Sequence, residues 1–282
     1  MNQTWLCGRF ELSLERPLLM GIVNITPDSF SDGNAHYRTD LALAHAKKLI
    51  ADGADILDIG GESTRPGAEP VSIEEELRRV LPIIEGLRDT NIPLSVDTFK
   101  PAVMRAVLDA GADIINDVAG FRSEEALAAV QGRGCGVCVM HMQGEPKTMQ
   151  QAPQYDNVLE EVQRFLMHQV QRLRTAGLRP EQIMLDPGLG FGKTVEQNYQ
   201  LLRSLPQLLQ EGYPALIGLS RKSMIGHVVN RPPMERVAGS LAGMLAAVRY
   251  GASVLRVHDV AASADALRVW TAVETGVIDE RT

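Results

Sequence analysis

The sequence predicts an α/β fold, a closed (β/α)8 barrel of the TIM type, formed by residues 1–282 as one domain. Eight short apolar runs alternate with longer amphipathic stretches along the whole chain, and no linker or change in composition interrupts them. The apolar runs are continuous rather than alternating, as expected for parallel strands that are buried on both faces. The alternative is an open doubly wound sheet, which normally has fewer strands and a phosphate-binding loop after the first one.

Each of the eight apolar runs is interpreted as one barrel strand. They are Leu18–Ile25, Ile56–Ile59, Leu94–Val96, Ile114–Ile115, Val137–Met140, Ile183–Leu185, Ala215–Leu219 and Val254–Val257.

The stretches between these runs have apolar residues at the spacing of three and four that is typical of helices. Leu41–Ala51 is the first, and Ser72 suits the N-cap of the second. Pro101 and Gly111 mark the beginning and the end of the third, because Pro is favoured in a first turn and Gly after a last one. Further helices are predicted after the N-cap Ser123, at Asn157–Ala176 and at Ala261–Thr275.

Composition and charge exclude several classes of protein. Apolar residues make up 45% of the chain, the net charge is −7, and the isoelectric point is about 5.4. Such a chain has no basic surface for nucleic acid or an anionic membrane, so an anionic substrate needs a local cationic pocket. The first residues do not resemble a signal peptide, and no apolar run is long enough to span a membrane.

Cysteine usage points to a reducing compartment, and we expect a cytoplasmic protein. The chain has three cysteines, Cys7, Cys135 and Cys138. Cys135 and Cys138 form a C-x-x-C pair, but the second begins an apolar strand-like run instead of a helix. Buried structural thiols are therefore favoured over a redox pair.

Polar residues follow nearly every apolar run, and two long connections, 26–39 and 61–71, follow the first two. The carboxyl ends of barrel strands meet at one rim, where barrel enzymes hold their active sites. The polar residues are Asn24, Asp58, Glu62, Asp97, Thr98, Asn116, Asp117, His141, Asp186, Ser220, Arg221, Lys222, Arg256, His258 and Asp259.

Some of these residues are equally compatible with helix caps or strand ends, an explanation that fits Thr98, Asp117 and Asp259 best. It fits Lys222 and Arg256 poorly, because cations are disfavoured at helix N-termini. Arg256 also lies inside an apolar run, where its desolvation must be offset by an anion or an aromatic face.

Two further patterns are weaker. The segment 188–194, GLGFGKT, resembles a phosphate loop, but Pro187 stands where an earlier glycine is required. A glycine turn that lets the backbone approach a flat ligand is favoured. His141 and Met142 lack further ligands at metal-binding spacing, so a structural or pocket-wall role is favoured for His141.

The strand ends and loops together resemble the dihydropteroate synthase family over almost the whole chain. Two loop signatures are long and specific, namely 21–33 (GIVNITPDSFSDG) and 60–67 (GGESTRPG). Shorter matches follow in family order at Ser95–Thr98, Ile115–Asp117, Met140–Met142, Asp186–Gly188, Gly190–Lys193, Ser220–Ser223 and Arg256–Asp259.

The resemblance implies a transferase of folate biosynthesis. In that family a 6-hydroxymethyl-7,8-dihydropterin diphosphate loses pyrophosphate at its exocyclic carbon, and the amine of p-aminobenzoate attacks that carbon to give 7,8-dihydropteroate. The alternatives are a corrinoid-dependent pterin methyltransferase, which has no use for the second loop signature, and a non-catalytic pterin-binding relative. Such a relative would be expected to have lost Lys222 or Arg256, and both are present.

The resemblance also implies roles for individual residues. The expected catalytic residues are Asn24, Lys222, Arg256 and His258. The expected pterin-binding residues are Asp97, Asn116, Met140, Asp186, Phe191, Lys222 and Arg256. The expected pyrophosphate-binding residues are Asn24, Arg256 and His258, with Asn24 helping to hold Mg²⁺. The expected p-aminobenzoate-binding residues are Phe30, Thr64, Arg65, Pro66 and Ser223. The partners are these small substrates, and neither nucleic acid nor a membrane is expected.

The same resemblance implies a homodimer and inhibition by sulfonamides, which are similar to p-aminobenzoate. The apolar segments around 240–250 and 261–273 are the predicted dimer contacts, although packing within one barrel explains them equally well.

Overall fold

The structure is a computed structural model that describes residues 4–25, 35–63, 67–145, 149 and 153–278. The chain begins with an antiparallel hairpin of β1 (Thr4–Cys7) and β2 (Phe10–Ser13). The strands that follow are β3 (Leu18–Asn24), β4 (Ile56–Gly60), β5 (Leu94–Asp97), β6 (Ile114–Asp117), β7 (Gly136–Met140), β8 (Ile183–Asp186), β9 (Leu216–Ile217) and β10 (Val254–Val257).

The eight strands β3 to β10 form the predicted parallel barrel. Sequential strands from β3 to β8 are neighbours, β10 pairs with both β3 and β9, and all of these pairings are parallel. A parallel bridge between Leu185 and Ala215 connects β8 to the segment before β9, which completes the circle. The fold prediction is confirmed.

Ten α-helices occur in the described residues, and they surround the barrel. They are α1 (Ala35–Ala51), α2 (Ile73–Leu87), α3 (Pro101–Ala110), α4 (Glu124–Val130), α5 (Val158–Thr175), α6 (Val195–Arg203), α7 (Leu205–Leu208), α8 (Ser223–Val229), α9 (Val237–Arg249) and α10 (Val260–Thr275). No helix among these residues is long and apolar enough to cross a membrane.

The predicted helix boundaries agree with the structure where capping chemistry is clear. Ser72 Oγ accepts a hydrogen bond from the amide of Glu75 at 3.2 Å, and Ser123 caps α4 in the same way. Gly111 ends α3 with a φ of 112°, which glycine adopts readily. The prediction for the first helix was six residues too short at its beginning, since α1 begins at Ala35 instead of Leu41.

The N-terminal hairpin, which the sequence pattern did not predict, packs against the amino-terminal end of the barrel. Trp5 is fully buried there and donates from Nε1 to the carbonyl of Gln182 at 3.0 Å. Cys7 lies so near Gly136 that a Cβ atom on this glycine would come within 2.8 Å of Sγ. The end of the barrel opposite the expected active site is therefore filled by side chains.

All three cysteines are free thiols and are buried, as predicted for structural residues. Burial raises the pKa of Cys135 to about 12 and that of Cys138 well above its usual value. Such thiols are not nucleophilic at neutral pH.

Candidate active site

Charged and polar side chains meet at the carboxyl end of the barrel, as the strand-end pattern predicted. Asp97, Asn116 and Asp186 are the last or next-to-last residues of β5, β6 and β8, and each is at most 6% exposed. Carboxylates this deeply buried are costly unless they are paired or bind a ligand. Their partners therefore define what the site can bind.

Arg256 on β10 forms ion pairs with two of these strand ends. Its Nε donates to Asp58 Oδ2 at 2.6 Å, and its Nη2 donates to Asp97 Oδ2 at 2.9 Å. The sequence analysis required an anion or an aromatic face to offset the burial of this arginine. The carboxylates of Asp58 and Asp97 are such anions, and they belong to the protein itself. Burial favours the neutral form of Arg256, but these two carboxylates outweigh that effect, so the pKa of Arg256 is raised above its ordinary value and the residue stays a cation.

Asp58 lies at the centre of this network and was not predicted as a site residue. It is fully buried on β4 and accepts hydrogen bonds from Ser95 Oγ at 2.6 Å and Asn116 Nδ2 at 3.4 Å, in addition to Arg256. The only signal in the sequence was a carboxylate inside the apolar run of β4. Asp58 holds Arg256 and Asn116 in position for a ligand.

Two buried acceptors in this network have no hydrogen-bond partner among the described residues. They are Oδ1 of Asp97 and Oδ1 of Asn116, which belong to adjacent, paired strands. Unsatisfied buried oxygens are rare, and adjacent ones indicate a place for a ligand that donates hydrogen bonds. Burial raises the pKa of Asp97 to about 7, although the cation of Arg256 opposes this shift.

Lys222 completes the charged part of the pocket from the other side of the barrel. Its Nζ donates to the carbonyl of Leu189 at 2.5 Å and lies 4.6 Å from the centre of the Phe191 ring. Burial lowers the pKa of Lys222 to about 8, an effect that the charge of Asp186 opposes. The lysine is the N-cap residue of α8, but its side chain makes no capping bond.

Apolar side chains form a wall next to these polar groups. Val118, Met140, Met142 and Met149 form a buried cluster, and Phe99 and Phe191 pack against it. Met140 and Phe191 were both predicted as pterin-binding residues. A flat ring with a polar edge matches a pocket that is apolar on one side and carries acceptors on another.

The glycine-rich segment after β8 differs from a phosphate loop in what its lysine contacts. A phosphate-loop lysine reaches the ligand, whereas this one contacts protein groups. Lys193 is buried, and its Nζ donates to the carbonyls of Gly188 and Phe191, both at 2.9 Å. It also lies 3.0 Å from His141 Nδ1. The ammonium therefore holds its own loop together, and His141 serves as one of its partners.

Asn24 and His258 occupy two strand ends on the remaining side of the rim. A Cβ atom on Gly60 would lie 3.4 Å from Asn24 Oδ1 and 3.8 Å from the Cβ of Asp97, so both side chains flank this glycine. His258 Nδ1 lies 3.1 Å from Ser220 Oγ, and Ser220 also accepts a hydrogen bond from the His258 amide. Of the two ring nitrogens of His258, Nδ1 therefore faces Ser220 and Nε2 does not.

The explanation as helix caps or strand ends was assigned to three residues, and two of them make the local hydrogen bonds that it implies. Asp117 accepts hydrogen bonds from the amides of Ala119 and Phe121, and Thr98 accepts one from the amide of Lys100. Asp259 occupies the N-cap position of α10, as this explanation predicts, but its side chain makes no capping bond. The Asp259 carboxylate instead forms a bidentate ion pair with Arg221. The guanidinium donates from Nε to Oδ2 at 2.9 Å and from Nη2 to Oδ1 at 2.5 Å.

Most of the residues expected on the p-aminobenzoate side lie outside the described residues. These are Phe30, Thr64, Arg65 and Pro66. Ser223 is described, and it begins α8 directly after Lys222. Both ends of the second long connection are also described, and Glu62 accepts hydrogen bonds from the Val71 amide at 3.0 Å and from Lys100 Nζ at 2.6 Å.

Comparison with known proteins matches residues 20–258 to the family of pterin-binding enzymes. The chain is 54% identical to a dihydropteroate synthase from Burkholderia cenocepacia solved with 7,8-dihydropteroate, with 97% of each chain covered and a TM-score of 0.89. The chain belongs to the dihydropteroate synthases.

Two further solved dihydropteroate synthases extend the comparison. The enzyme of Xanthomonas albilineans, solved with 4-aminobenzoic acid, is 52% identical, covers 98% of this chain and 99% of its own, and has a TM-score of 0.91. The enzyme of Yersinia pestis, solved with a sulfonamide drug, is 45% identical, with coverages of 97% and 100% and a TM-score of 0.90. The chain is therefore a transferase that forms dihydropteroate, and the pocket at the barrel rim is its candidate active site.

Proposed function

We propose that the buried acceptors at the ends of β5, β6 and β8 bind the dihydropterin through its guanidine-like edge. Asp97 and Asn116 each offer an oxygen that has no partner among the described residues, and Asp186 offers a carboxylate whose Oδ1 already accepts the Gly188 amide at 2.7 Å. Carboxylate and amide oxygens accept hydrogen bonds from such an edge, and Lys222 donates one to the ring carbonyl. Met140 and Phe191 contact the faces of the ring.

The diphosphate of the substrate is placed next to Arg256, His258 and Asn24. Arg256 uses Nε and Nη2 for Asp58 and Asp97, and its Nη1 makes no hydrogen bond to the described part of the chain. A guanidinium nitrogen of this kind suits a phosphate oxygen. Its second task is to stabilise the negative charge that develops on the leaving pyrophosphate.

Asn24 is the residue that we assign to Mg²⁺. Among the described residues no group of three or more His, Cys, Asp or Glu side chains is arranged to hold a metal. One amide oxygen nevertheless fits Mg²⁺, because this ion takes hard oxygen ligands, keeps several waters and binds substrate phosphates. When bound, the metal neutralises charge on the leaving diphosphate.

Ser223 and the residues Phe30, Thr64, Arg65 and Pro66 are proposed to bind p-aminobenzoate. Ser223 follows Lys222 directly, so this second pocket adjoins the pterin pocket. The aniline nitrogen is a neutral nucleophile that needs no general base before it attacks. The protein's task is then to align this nitrogen with the exocyclic carbon and to exclude water from that carbon as pyrophosphate leaves.

The adjacent unsatisfied oxygens of Asp97 and Asn116 are the single observation that best supports the pterin pocket. The test of function is pyrophosphate release by the purified protein with 6-hydroxymethyl-7,8-dihydropterin diphosphate and Mg²⁺, with and without p-aminobenzoate. We expect release that depends on p-aminobenzoate and yields dihydropteroate. Tight pterin binding without release would instead favour the non-catalytic relative or the methyltransferase.

Sensitivity to sulfonamides is proposed on the same basis, with Phe30, Thr64 and Pro66 as the positions at which substitutions should alter it. A single domain over residues 1–282, a homodimer and a cytoplasmic location stay predictions.

A further inference from the structure

A buried lysine that no step of the reaction uses lies behind the pterin pocket. The Nζ of Lys193 is surrounded by four acceptors, namely the carbonyls of Gly188 and Phe191 at 2.9 Å and the carbonyl and Nδ1 of His141 at 3.3 and 3.0 Å. An ammonium group has three hydrogens to donate, so all of them have partners within the protein. Burying a charge in this way is costly, and it calls for a reason.

The loop that Lys193 holds is the one that shapes two pterin-binding groups. The Gly188 amide donates to Asp186 Oδ1, and the Leu189 carbonyl accepts from Lys222 Nζ. Phe191 presents its ring to the same ammonium. A Cβ atom on Gly188 would lie only 1.8 Å from the carbonyl oxygen of His141, so the loop packs tightly against the end of β7.

We propose that Lys193 is a positioning residue for the synthase reaction, whose buried cation fixes the loop 188–192 and, through the Gly188 amide, the Asp186 carboxylate that accepts hydrogen bonds from the pterin. The proposal rests on the pterin pocket proposed above.

The charges around Asp186 come from every side of the pocket. Lys222 precedes α8, Lys193 belongs to the loop after β8, and Arg256 lies on β10; all three cations favour the ionised carboxyl, against the burial that raises its pKa. From β7, the buried Cys138 thiol faces Asp186 without a charge of its own. Because Lys222 and Arg256 are proposed to contact the substrate themselves, Lys193 is the one cation of the three whose effect on pterin binding passes through the protein.

His141 is suited to its place beside this cation. Burial and the charge of Lys193 lower the pKa of His141 to about 2, so the ring stays neutral and its Nδ1 can accept a hydrogen bond. Burial lowers the pKa of Lys193 to about 7. The lysine is therefore a cation at acidic pH, where its charge opposes the protonation of Asp186 that burial favours.

The test measures binding of 6-hydroxymethylpterin, an unreactive probe, as a function of pH below neutrality. Lys193→Gln keeps a hydrogen-bond donor for the loop carbonyls but removes the charge, and Lys193→Met removes both. We expect each variant to bind the pterin about tenfold more weakly near neutral pH. We also expect the midpoint of the acidic loss of binding to rise by about one pH unit.

Asn198→Ala is the matched control, because Asn198 Oδ1 accepts the Gly190 amide of the same loop at 2.7 Å and carries no charge. This variant should weaken pterin binding while the acidic midpoint stays where it is. A midpoint that does not move in Lys193→Gln, the variant that keeps the loop's donor, would overturn the proposal. The variant Asp186→Asn distinguishes failure of the proposed pterin pocket from failure of the Lys193 proposal. If Asp186→Asn binds the pterin with normal affinity, the proposed pocket is wrong, regardless of the results for Lys193.

Discussion

Arg256 Nε lies 2.6 Å from Asp58 Oδ2 in the interior of the barrel, and this pair fixes the cation that we propose faces the substrate. Asp58 is fully buried, so its charge is balanced by Arg256 and by hydrogen bonds from Ser95 and Asn116. The position of the arginine is therefore set by a residue that we do not expect to touch either substrate.

The Asp58→Asn variant tests this relationship. It leaves Arg256 with one carboxylate partner, and breaking a buried ion pair costs about 3–5 kcal/mol of unfolding free energy. Urea unfolding should show a loss of this order, together with a lower kcat. Ser95→Ala is the control, since it removes a partner of Asp58 but leaves the ion pair; it should cost about 1 kcal/mol. Equal effects of the two substitutions would show that the ion pair has no special role.

Arg256→Ala should weaken binding of the dihydropterin diphosphate and of pyrophosphate together, because the same guanidinium faces the anion in both. Calorimetric titration with each ligand measures this directly. Arg16→Ala, which removes an exposed arginine paired with Asp55, should leave both affinities unchanged. Unchanged pyrophosphate affinity in Arg256→Ala would rule out the anion-binding role.

The pH dependence of pterin binding should have an alkaline limb that is due to Lys222. Burial lowers the pKa of this residue to about 8, so the ammonium that we propose donates to the pterin carbonyl is present below this pH and is lost as the pH rises through it. Affinity for 6-hydroxymethylpterin should fall over that range. In Lys222→Arg the charge persists at high pH, so the alkaline limb should disappear even if the affinity is lower throughout. A limb that is the same in both proteins would assign the titration to another group or to the ligand.

The opposite end of the barrel should influence stability without changing substrate affinity. Trp5 is completely buried and bonded to Gln182, and Trp5→Ala should cost about 3–5 kcal/mol because it leaves a cavity. Trp5→Phe keeps most of the volume and should cost less. The KM for p-aminobenzoate measured on the folded fraction should stay the same in both variants; an increase would mean that the hairpin contributes to the site.

Much of the barrel could be predicted from the sequence because continuous apolar runs followed by polar residues are characteristic of buried parallel strands. Strand β10 was predicted with its observed bounds, while β9 is only Leu216–Ile217 although a run of five residues was expected. The residues after β9 form a turn in which the Lys222 amide donates to the Leu219 carbonyl, and Lys222 Nζ donates to the Leu189 carbonyl. The hairpin β1–β2 was missed because burial alternates along its strands, so its sequence lacks the continuous apolar run that marks the barrel strands.

The site was predicted less completely than the fold, for a physical reason. Residue types at strand ends indicate which groups reach the rim, but the choice of partners depends on the register between strands. Asp58 lies opposite Ser95 in the β4–β5 ladder. Arg256 and Asp58 are 198 residues apart in the sequence, so their ion pair cannot be inferred from local spacing. Similarly, Lys193 belongs to a loop that looks like a phosphate-binding segment, and only its buried contacts with His141 and Gly188 show that it faces the protein.

The most direct test of the proposed pterin pocket is the affinity of Asp186→Asn for 6-hydroxymethylpterin, measured at neutral pH beside Asp117→Asn. Both positions are buried strand-end carboxylates, but Asp117 is satisfied by backbone amides of its own loop. We predict that Asp186→Asn weakens pterin binding by about 1–3 kcal/mol, the cost of an unmatched buried polar partner. Asp117→Asn should lower stability and leave the affinity of the folded protein unchanged. Equal pterin affinity in Asp186→Asn and the unmodified protein would contradict the pocket as it is proposed.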